Sequence, residues 1–275
     1  MTAAEFRPVR LPMYDWPEVA DETRVLEAAL TDEICHALAI APSTLQPWEP
    51  DIDLYDLWKD PGLLLAQTCG YPFTHDLKGK VSLIGAPEYE AAGCSGPAYC
   101  SQIIVAASSP FRTMADLKGS RAAFNGPDSQ SGMNTFRHAL ASLAEGVPFF
   151  GSVTESGGHL ASMAAVAEGR ADVAAIDAVC WALAGREKPQ LVSGVRALTQ
   201  TAQAPGLPYI TSVRFSPVER QKIAEAISSV FAKTETAKSR ERLCIRGFSK
   251  LVPEDYAVIL EMEAQAAAAG YPVLA

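Results

Sequence analysis

Short apolar runs alternate with amphipathic stretches along this chain, and that alternation constrains the fold more than any other feature. YCSQIIVAASS at 99–109 reads as a strand, and so does the run from Asp172 to Asp177. Residues 21–38 carry Val25, Ala28, Ala29, Ile34 and Leu38 among many charges, the periodicity of an amphipathic helix. Strands alternating with helices make an α/β pattern. A weak internal echo sharpens it: HDLKGKVSLIGAP covers 75–87 and ADLKGSRAAFNGP covers 115–127. Each has Asp-Leu-Lys-Gly, then an apolar strand, then Gly with Pro. The physical reading is one unit used twice: helical turn, Gly stop, strand, tight turn. Two lobes of similar architecture account for it economically. One would be discontinuous, 1–105 plus 203–275, and the other would be inserted, 106–202. Crossings near 104–108 and 199–206 would make a hinge.

The remaining segments fit this rhythm. RPVRLPMYD looks like a strand running into a loop, and residues 41–62 read as a surface loop with a helical turn. GLLLAQTCGYPF is expected to begin as a helix and break at Gly70 and Pro72. QLVSGVRALTQT, 190–201, reads as a strand region leading to the breaker cluster Ala204-Pro205-Gly206. A helix over 217–233 starts with Ser216 as cap and Pro217 in the first turn. Val218, Ile223, Ile227, Val230 and Phe231 would be its buried stripe. A last helix runs from near Pro253-Glu254-Asp255 to near Gly270.

Composition enters where it excludes functions. The chain has 275 residues, 48% hydrophobic and 20% charged, so it can bury a sizeable core and is not disordered as a whole. A net charge of −9 argues against nucleic-acid and anionic-membrane partners, which need basic patches. It leaves open a small anionic ligand, which backbone dipoles can hold whatever the net charge. Arg7, Arg10, Asp15 and Glu18 interrupt any apolar run near the start, so no export signal is recognisable there. No stretch approaches the ~18 apolar residues of a membrane span. As written the chain reads as cytoplasmic, and as periplasmic if a leader has been trimmed. Cys35, Cys69, Cys94, Cys100, Cys180 and Cys244 form no C-x-x-C pair. They are expected to be buried thiols, with a Cys94–Cys100 disulfide or a reactive Cys69 as alternatives. The four histidines show no metal spacing, and no metal or cofactor is expected.

Two segments could carry chemistry. SRAAFNGPDSQSGMNTFRHALASLAE, 120–145, reads strand, polar loop, helix. Met133, Phe136, Leu140 and Leu143 make one helical stripe, so Ser129, Gln130, Ser131 and Gly132 sit at the helix entrance. Hydroxyls, backbone N–H groups and the helix dipole would converge there, enough to hold an anion without Lys or Arg. Gly132 would let the backbone approach closely. The plainer alternative is that Ser129 or Ser131 only caps the helix. In SGGHLASMAAVAEGRADVAAIDAVCW, 156–181, His159 opens a helix after two glycines and Asp177 ends a strand. His159 can donate to an oxyanion, and Asp177 lies at the strand end where ligands of open α/β sheets gather. The alternatives are a surface or capping histidine, and a cap for the helix beginning at Ala178. Serine, histidine and acid are all present, but there is no G-x-S-x-G elbow, Rossmann fingerprint or P-loop. No catalytic residue is assigned.

Residues 98–185 resemble the ABC-transporter solute-binding proteins for phosphonate, phosphite and phosphate. Tyr99 leads the strand SQIIVAASSP; ADLKGSRAAFNGPDSQSG stands where that family shows S-T-S-G after a strand; GGHLASMAAVAEGRADVAAID matches its G-H-x-x-x-x-x-A-V-x-x-x-x-x-D-V-A. The resemblance implies a two-lobed type 2 periplasmic-binding-protein fold. Each lobe would be a mixed sheet flanked by helices, with a ligand cleft between lobes. It places the family's phosphoryl-binding serines on Ser129 and Ser131, with Gln130 between them in place of Thr. It places the anion-binding histidine on His159 and the pocket tyrosine on Tyr99. Aminophosphonate binders of the family add carboxylates; one would fall near Val179, with Asp177 close, and another around Leu207, where no acid stands. An amino-bearing phosphonate is therefore not expected. Tyr14, Trp48 and the run Gln67 to Tyr71 would form a wall from the N-terminal lobe. The expectation is a binding protein that closes on a small oxyanion through Ser129, Gln130, Ser131, Gly132 and His159. Tyr99 and Tyr14 would form the other wall, and Asp177 would orient a donor. An ABC permease is the partner if the chain is exported. The competing expectation is a cytoplasmic enzyme on the same scaffold, similar to chorismate dehydratase.

Overall fold

The computed structural model describes residues 5–275. Two compact units emerge. One holds the described residues through Glu90 and Pro205–Asp255; the other holds Ala91–Ala204 and Tyr256–Ala275.

The first unit is built on an antiparallel sheet in the order Ala66–Gln67, Tyr209–Ser212, Val81–Tyr89, Ile245–Ser249. Parallel bridges Arg7↔Leu63 and Arg10↔Ala66 lay the N-terminal segment along its edge. The apolar run Leu63-Leu64-Leu65 is therefore extended, not helical as expected, and the short helix Gly70–Thr74 begins only after it. All three leucines are fully buried, which is why a continuous apolar run could not be told from a helix by its periodicity. Helix Ala20–Leu38 turns Leu26, Leu30 and Ile34 inward, each fully buried and each contributing about 1.5–3 kcal/mol. It packs against helix Pro217–Ala232. That second helix starts with a full capping box: Ser216 Oγ accepts the Glu219 N–H, and the Glu219 carboxylate accepts the Ser216 N–H. Ile223, Ile227, Val230 and Phe231 are buried as expected; Val218 is 68% exposed, because the first turn projects beyond the core.

The second unit carries a five-stranded mixed sheet, in the order Ser152–Glu155, Arg121–Phe124, Val173–Asp177, Ser101–Ala106, Val195–Gln200. The first three strands run parallel and Ser101–Ala106 runs antiparallel to both its neighbours. The expected boundary at 105/106 thus falls inside a central strand of this sheet. The chain passes between units at Glu90/Ala91 instead, at Ala204/Pro205 within the expected range 199–206, and again at Asp255/Tyr256. Helix Ala257–Ala268 belongs with the second unit, packed on helix Thr135–Ala144, rather than with the first. Residues 1–4 of the expected first lobe lie outside the described residues.

The echo is real at its first half. Gly79 and Gly119 both take positive φ, +74° and +78°, and each releases the chain into a strand. The copies then diverge. Gly85-Ala86-Pro87 stays within the strand because Ser249 and Phe248 pair with Ala86 and Pro87. Gly126-Pro127 leaves its strand at Phe124 and leads into the candidate site.

Candidate functional site

Strand Arg121–Phe124 ends beside Val173–Asp177, and the loop after it delivers Ser129 to a helix entrance. Ser129 is the cap: its Oγ accepts the Gly132 N–H at 2.9 Å. Residues Gln130–Asn134 form a π-turn before the α-helix Thr135–Ala144. Such turns are rare and mark functional positions more often than chance. The wide turn sends neighbouring side chains in different directions. Gln130 is fully buried and turns toward the C-terminal helix. Its Oε1 accepts from Asn134 Nδ2 at 2.7 Å and its Nε2 faces Met262 Sδ at 3.4 Å. Asn134 Nδ2 also donates to the Ile259 carbonyl, and Arg137 ties Asn134 to the Pro272 carbonyl and Glu263. Ser131 points the other way, its Oγ 2.8 Å from His159 Nε2. The Ser131 carbonyl accepts from Ser101 Oγ at 2.8 Å and Thr135 Oγ1 at 3.0 Å, so the residue is held from three sides.

His159 is the first residue of helix His159–Ala167, preceded by Gly158. The residue keeps some accessibility, yet its ring is enclosed closely enough that burial pulls the pKa from 6.5 down to about 4. The imidazole is neutral at ordinary pH. Nδ1 is sealed from solvent without a hydrogen-bond partner, and the Ala175 backbone offsets the effect of burial on the ring only in part. Gly132 has a steric role. A Cβ on it would stand 1.8 Å from Asn125 Oδ1 and 3.3 Å from His159 Cε1, so any side chain would push into the pair.

Asp177 is buried and caps helix Ala178–Glu187, its Oδ1 accepting from the N–H groups of Val179 at 2.7 Å and Cys180 at 3.0 Å. Tyr99 is buried, at the end of the hairpin Cys94–Ser95/Ala98–Tyr99. The second unit thus brings Ser129, Ser131, Gly132 and His159 together, and turns the Gln130 side chain into the packing. None of the six cysteines is in a disulfide, and burial pushes the Cys100 and Cys180 thiols up.

Tyr14 belongs to the first unit. It is buried, meets Tyr89 edge-on at 5.5 Å, and lines a small pocket with Leu11, Thr23, Gln67, Tyr89 and Tyr209. Gln67 Nε2 donates to Tyr89 Oη at 2.7 Å. The loop bearing Tyr14 is braced by Glu27, whose carboxylate accepts the Leu11 N–H at 2.7 Å and the Arg10 guanidinium at 3.3 Å. Trp48 points elsewhere, its Nε1 donating to the Pro8 carbonyl.

Sequence reasoning missed Ser101, Asn125, Tyr89 and Glu27. Asn125 had a signal, its place immediately before Gly126-Pro127 at a strand end. The others act through contacts distant in sequence. Among the described residues no three of His, Cys, Asp and Glu cluster to hold a metal, and no helix is long and apolar enough to cross a membrane.

A family model described as ABC transporter, phosphonate, periplasmic substrate-binding protein matches residues 63–256. No curated protein matches the sequence. Among solved structures, the chain is similar to a binding protein component of an ABC phosphonate transporter from Pseudomonas aeruginosa. That match has TM-score 0.74 and 14% identity, covering 97% of this chain and 88% of that one. It is similar to PhnD1 from Prochlorococcus marinus in complex with methylphosphonate, at TM-score 0.72 and 15% identity, covering 96% and 99%. It is also similar to the alkanesulfonate-binding protein SsuA from Xanthomonas axonopodis pv. citri bound to MOPS, at TM-score 0.61 and 16% identity, covering 100% and 97%. The fold is the type 2 periplasmic-binding-protein fold that the sequence led us to expect.

Proposed function

The chain belongs to the family of periplasmic substrate-binding proteins of ABC phosphonate transporters, and from that membership we propose that it binds a small phosphonate-like oxyanion at the turn carrying Ser131. One observation carries the residue assignment: Ser131 Oγ lies 2.8 Å from a neutral, enclosed His159 at the opening of a helix. Ser129 acts in this reading by holding the turn through Gly132 rather than by touching the ligand. Tyr99, in the same unit, is a further candidate contact. Tyr14 and Asp177 stay as secondary candidates, and Gln130 as a packing residue. The PhnD1 neighbour, in complex with methylphosphonate, supports methylphosphonate as the first ligand to try. Delivery to a membrane permease follows from the family's role in transport and is part of the proposal, as is a periplasmic location.

A serine bonded to a histidine invites the hydrolase reading. Two features count against it. A general base works best with a pKa near the operating pH, and His159 sits near 4. No carboxylate orients its Nδ1, as a triad requires. We therefore take the protein to be a binder, not an enzyme.

Thermal unfolding against phosphate, phosphite, alkyl- and aminophosphonates, sulfonates and carboxylates tests this. A ligand at about 100 times its Kd adds roughly 2.7 kcal/mol, which raises Tm by about 5–10 °C for a chain of this size. The double variant Ser131→Ala, His159→Ala should lose that shift and keep its fold by circular dichroism. An unchanged shift in the double variant overturns the site assignment.

A further inference from the structure

The π-turn at Gln130–Asn134 departs from the helix it opens, and its hydrogen bonds show how. In a regular α-helix the Thr135 N–H would meet the Ser131 carbonyl, four residues back. Here it meets the Gln130 carbonyl, and the Asn134 N–H meets the Ser129 carbonyl at 3.0 Å, each five residues back. Two hydroxyls reach the Ser131 carbonyl in place of that N–H. Thr135 Oγ1 donates at 3.0 Å and Ser101 Oγ at 2.8 Å. The threonine bond lies within the helix, and a hydroxyl can reach four residues back in an α-turn as well. The serine bond comes from outside, from a strand 30 residues earlier in the chain.

The sheet fixes Ser101 independently of the turn. It stands opposite Asp177 in the ladder. Its N–H donates to Thr201 Oγ1 at 2.9 Å, and its carbonyl accepts the Thr201 N–H at 3.0 Å. The residue is buried, so its hydroxyl meets the Ser131 carbonyl rather than water. A π-turn holds one residue more than an α-turn. Reversion would rotate Ser131 against the helix behind it by roughly 100°, the step of one residue. That rotation would carry Ser131 Oγ away from His159 Nε2, now at 2.8 Å. The Gln130–Asn134 pair braces the same turn, but through side chains directed at the C-terminal helix. Ser101 grips the backbone of Ser131 itself.

We propose that Ser101 is a positioning residue for ligand binding: its hydroxyl selects the π register and so aims Ser131 Oγ at His159, without touching the ligand. The part that concerns binding rests on the oxyanion reading of this site. The part that concerns geometry rests on the protein's own atoms. Ser131 Oγ can give or accept a hydrogen at His159 Nε2, so either tautomer of the ring keeps the contact. A turn that leaves this register is not competent to bind. If loss of the hydroxyl leaves about a tenth of the molecules competent, the apparent Kd rises about tenfold.

The test compares Ser101→Ala with Thr201→Val in the full chain. Thr201→Val removes the partner of the Ser101 N–H and keeps the Ser101 hydroxyl. Each variant cuts a buried hydrogen bond at the same residue, so each should lower Tm by about 2–4 °C. The ring-nitrogen NMR signals of His159 in the ligand-free protein report its contact with Ser131, and Ser131→Ala gives their position without it. Ser101→Ala should move the signals toward that position and raise the methylphosphonate Kd about tenfold. Thr201→Val should leave both as in the parent. Parental His159 signals in Ser101→Ala overturn the proposal, however much stability is lost. So does an equal displacement in Thr201→Val, because the strand and not the hydroxyl would then set the turn. So does an unchanged methylphosphonate Kd in Ser101→Ala when the parent binds. If Ser101→Ala does not fold, Ser101→Cys, with a weaker donor of similar size, takes its place and should show a smaller displacement in the same direction. Failure of the parent to bind methylphosphonate, phosphite or phosphate overturns the oxyanion reading instead, and the His159 signals still decide whether Ser101 sets the turn.

Discussion

At Gly132 a single hydrogen atom is what the site can accommodate. A methyl group there would meet Asn125 Oδ1 at 1.8 Å, well inside contact, and crowd His159 Cε1 at 3.3 Å. Gly132→Ala is therefore expected to cost about 1–3 kcal/mol of stability from overpacking, measured as a lower urea midpoint, and to weaken methylphosphonate binding. Asn125→Ala in the same chain removes the clashing atom, so the double variant should regain most of the stability. If it regains none, the contact with Asn125 is not the reason for glycine. This residue also shows how far sequence could reach. Gly132 stood out because it lies at a helix entrance after two serines, and close approach was the expected reason. What approaches is the side chain of Asn125 seven residues earlier, brought round by the Gly126-Pro127 bend. Ser101 was invisible for a similar reason. It reaches the Ser131 carbonyl only because its strand pairs Ser101 with Asp177, a register no local pattern encodes.

Elements with strong local chemistry were legible and those defined by distant partners were not. Ser216-Pro217 with Glu219 announced a helix, and the capping box is there in full. Ser216→Ala should lower stability by about 1 kcal/mol, seen in the urea midpoint, with methylphosphonate affinity unchanged because this helix belongs to the first unit's core. A change in affinity without a change in midpoint would contradict that placement. The run Leu63-Leu64-Leu65 carried no such punctuation. It is held extended by a bridge from Leu63 to Arg7 and by the strand Ala66–Gln67 that follows, which pairs with Arg10 and Tyr209–Ile210, all far away in sequence. The C-terminal helix is legible as a helix, but nothing local to it places it with the second unit. Its partners, Asn134 and Arg137 on the helix after Ser131, could be found only in three dimensions. The same region takes up the Gln130 side chain. A regular α-turn would have let it flank Ser131 at the entrance, but the π-turn directs it into the Met262 contact instead.

At the scale of the whole molecule, the net charge of −9 sets a field that opposes any anion, so local groups must do the recognising. The price of that arrangement is a histidine kept neutral by enclosure, and it should be visible in the acid stability of the entire chain. Below pH 6.5 the unfolded chain takes up a proton on His159 that the folded chain refuses until about pH 4. The unfolded state then binds more protons, so this group's contribution to stability is fully present above pH 6.5 and is lost as pH falls toward 4. Other carboxylates act at different places, Asp172 and Glu27 among them. Asp172, held low by Arg121, weakens the fold only as pH drops below its ordinary value of 3.8. Glu27, raised from 4.5 by burial, works in the opposite sense. It binds its proton more readily when folded and so favours the fold as pH falls through that window. Comparing the protein with His159→Gln cancels both, because glutamine cannot titrate and the acids are common to the two chains. Tm of the parent should fall between pH 6.5 and 4.5, and Tm of His159→Gln should fall less, whatever its absolute value. Parallel curves over that interval would mean that His159 takes up its proton in the fold as easily as in water, and that the enclosure on which the neutral Ser131–His159 pair depends does not exist in solution.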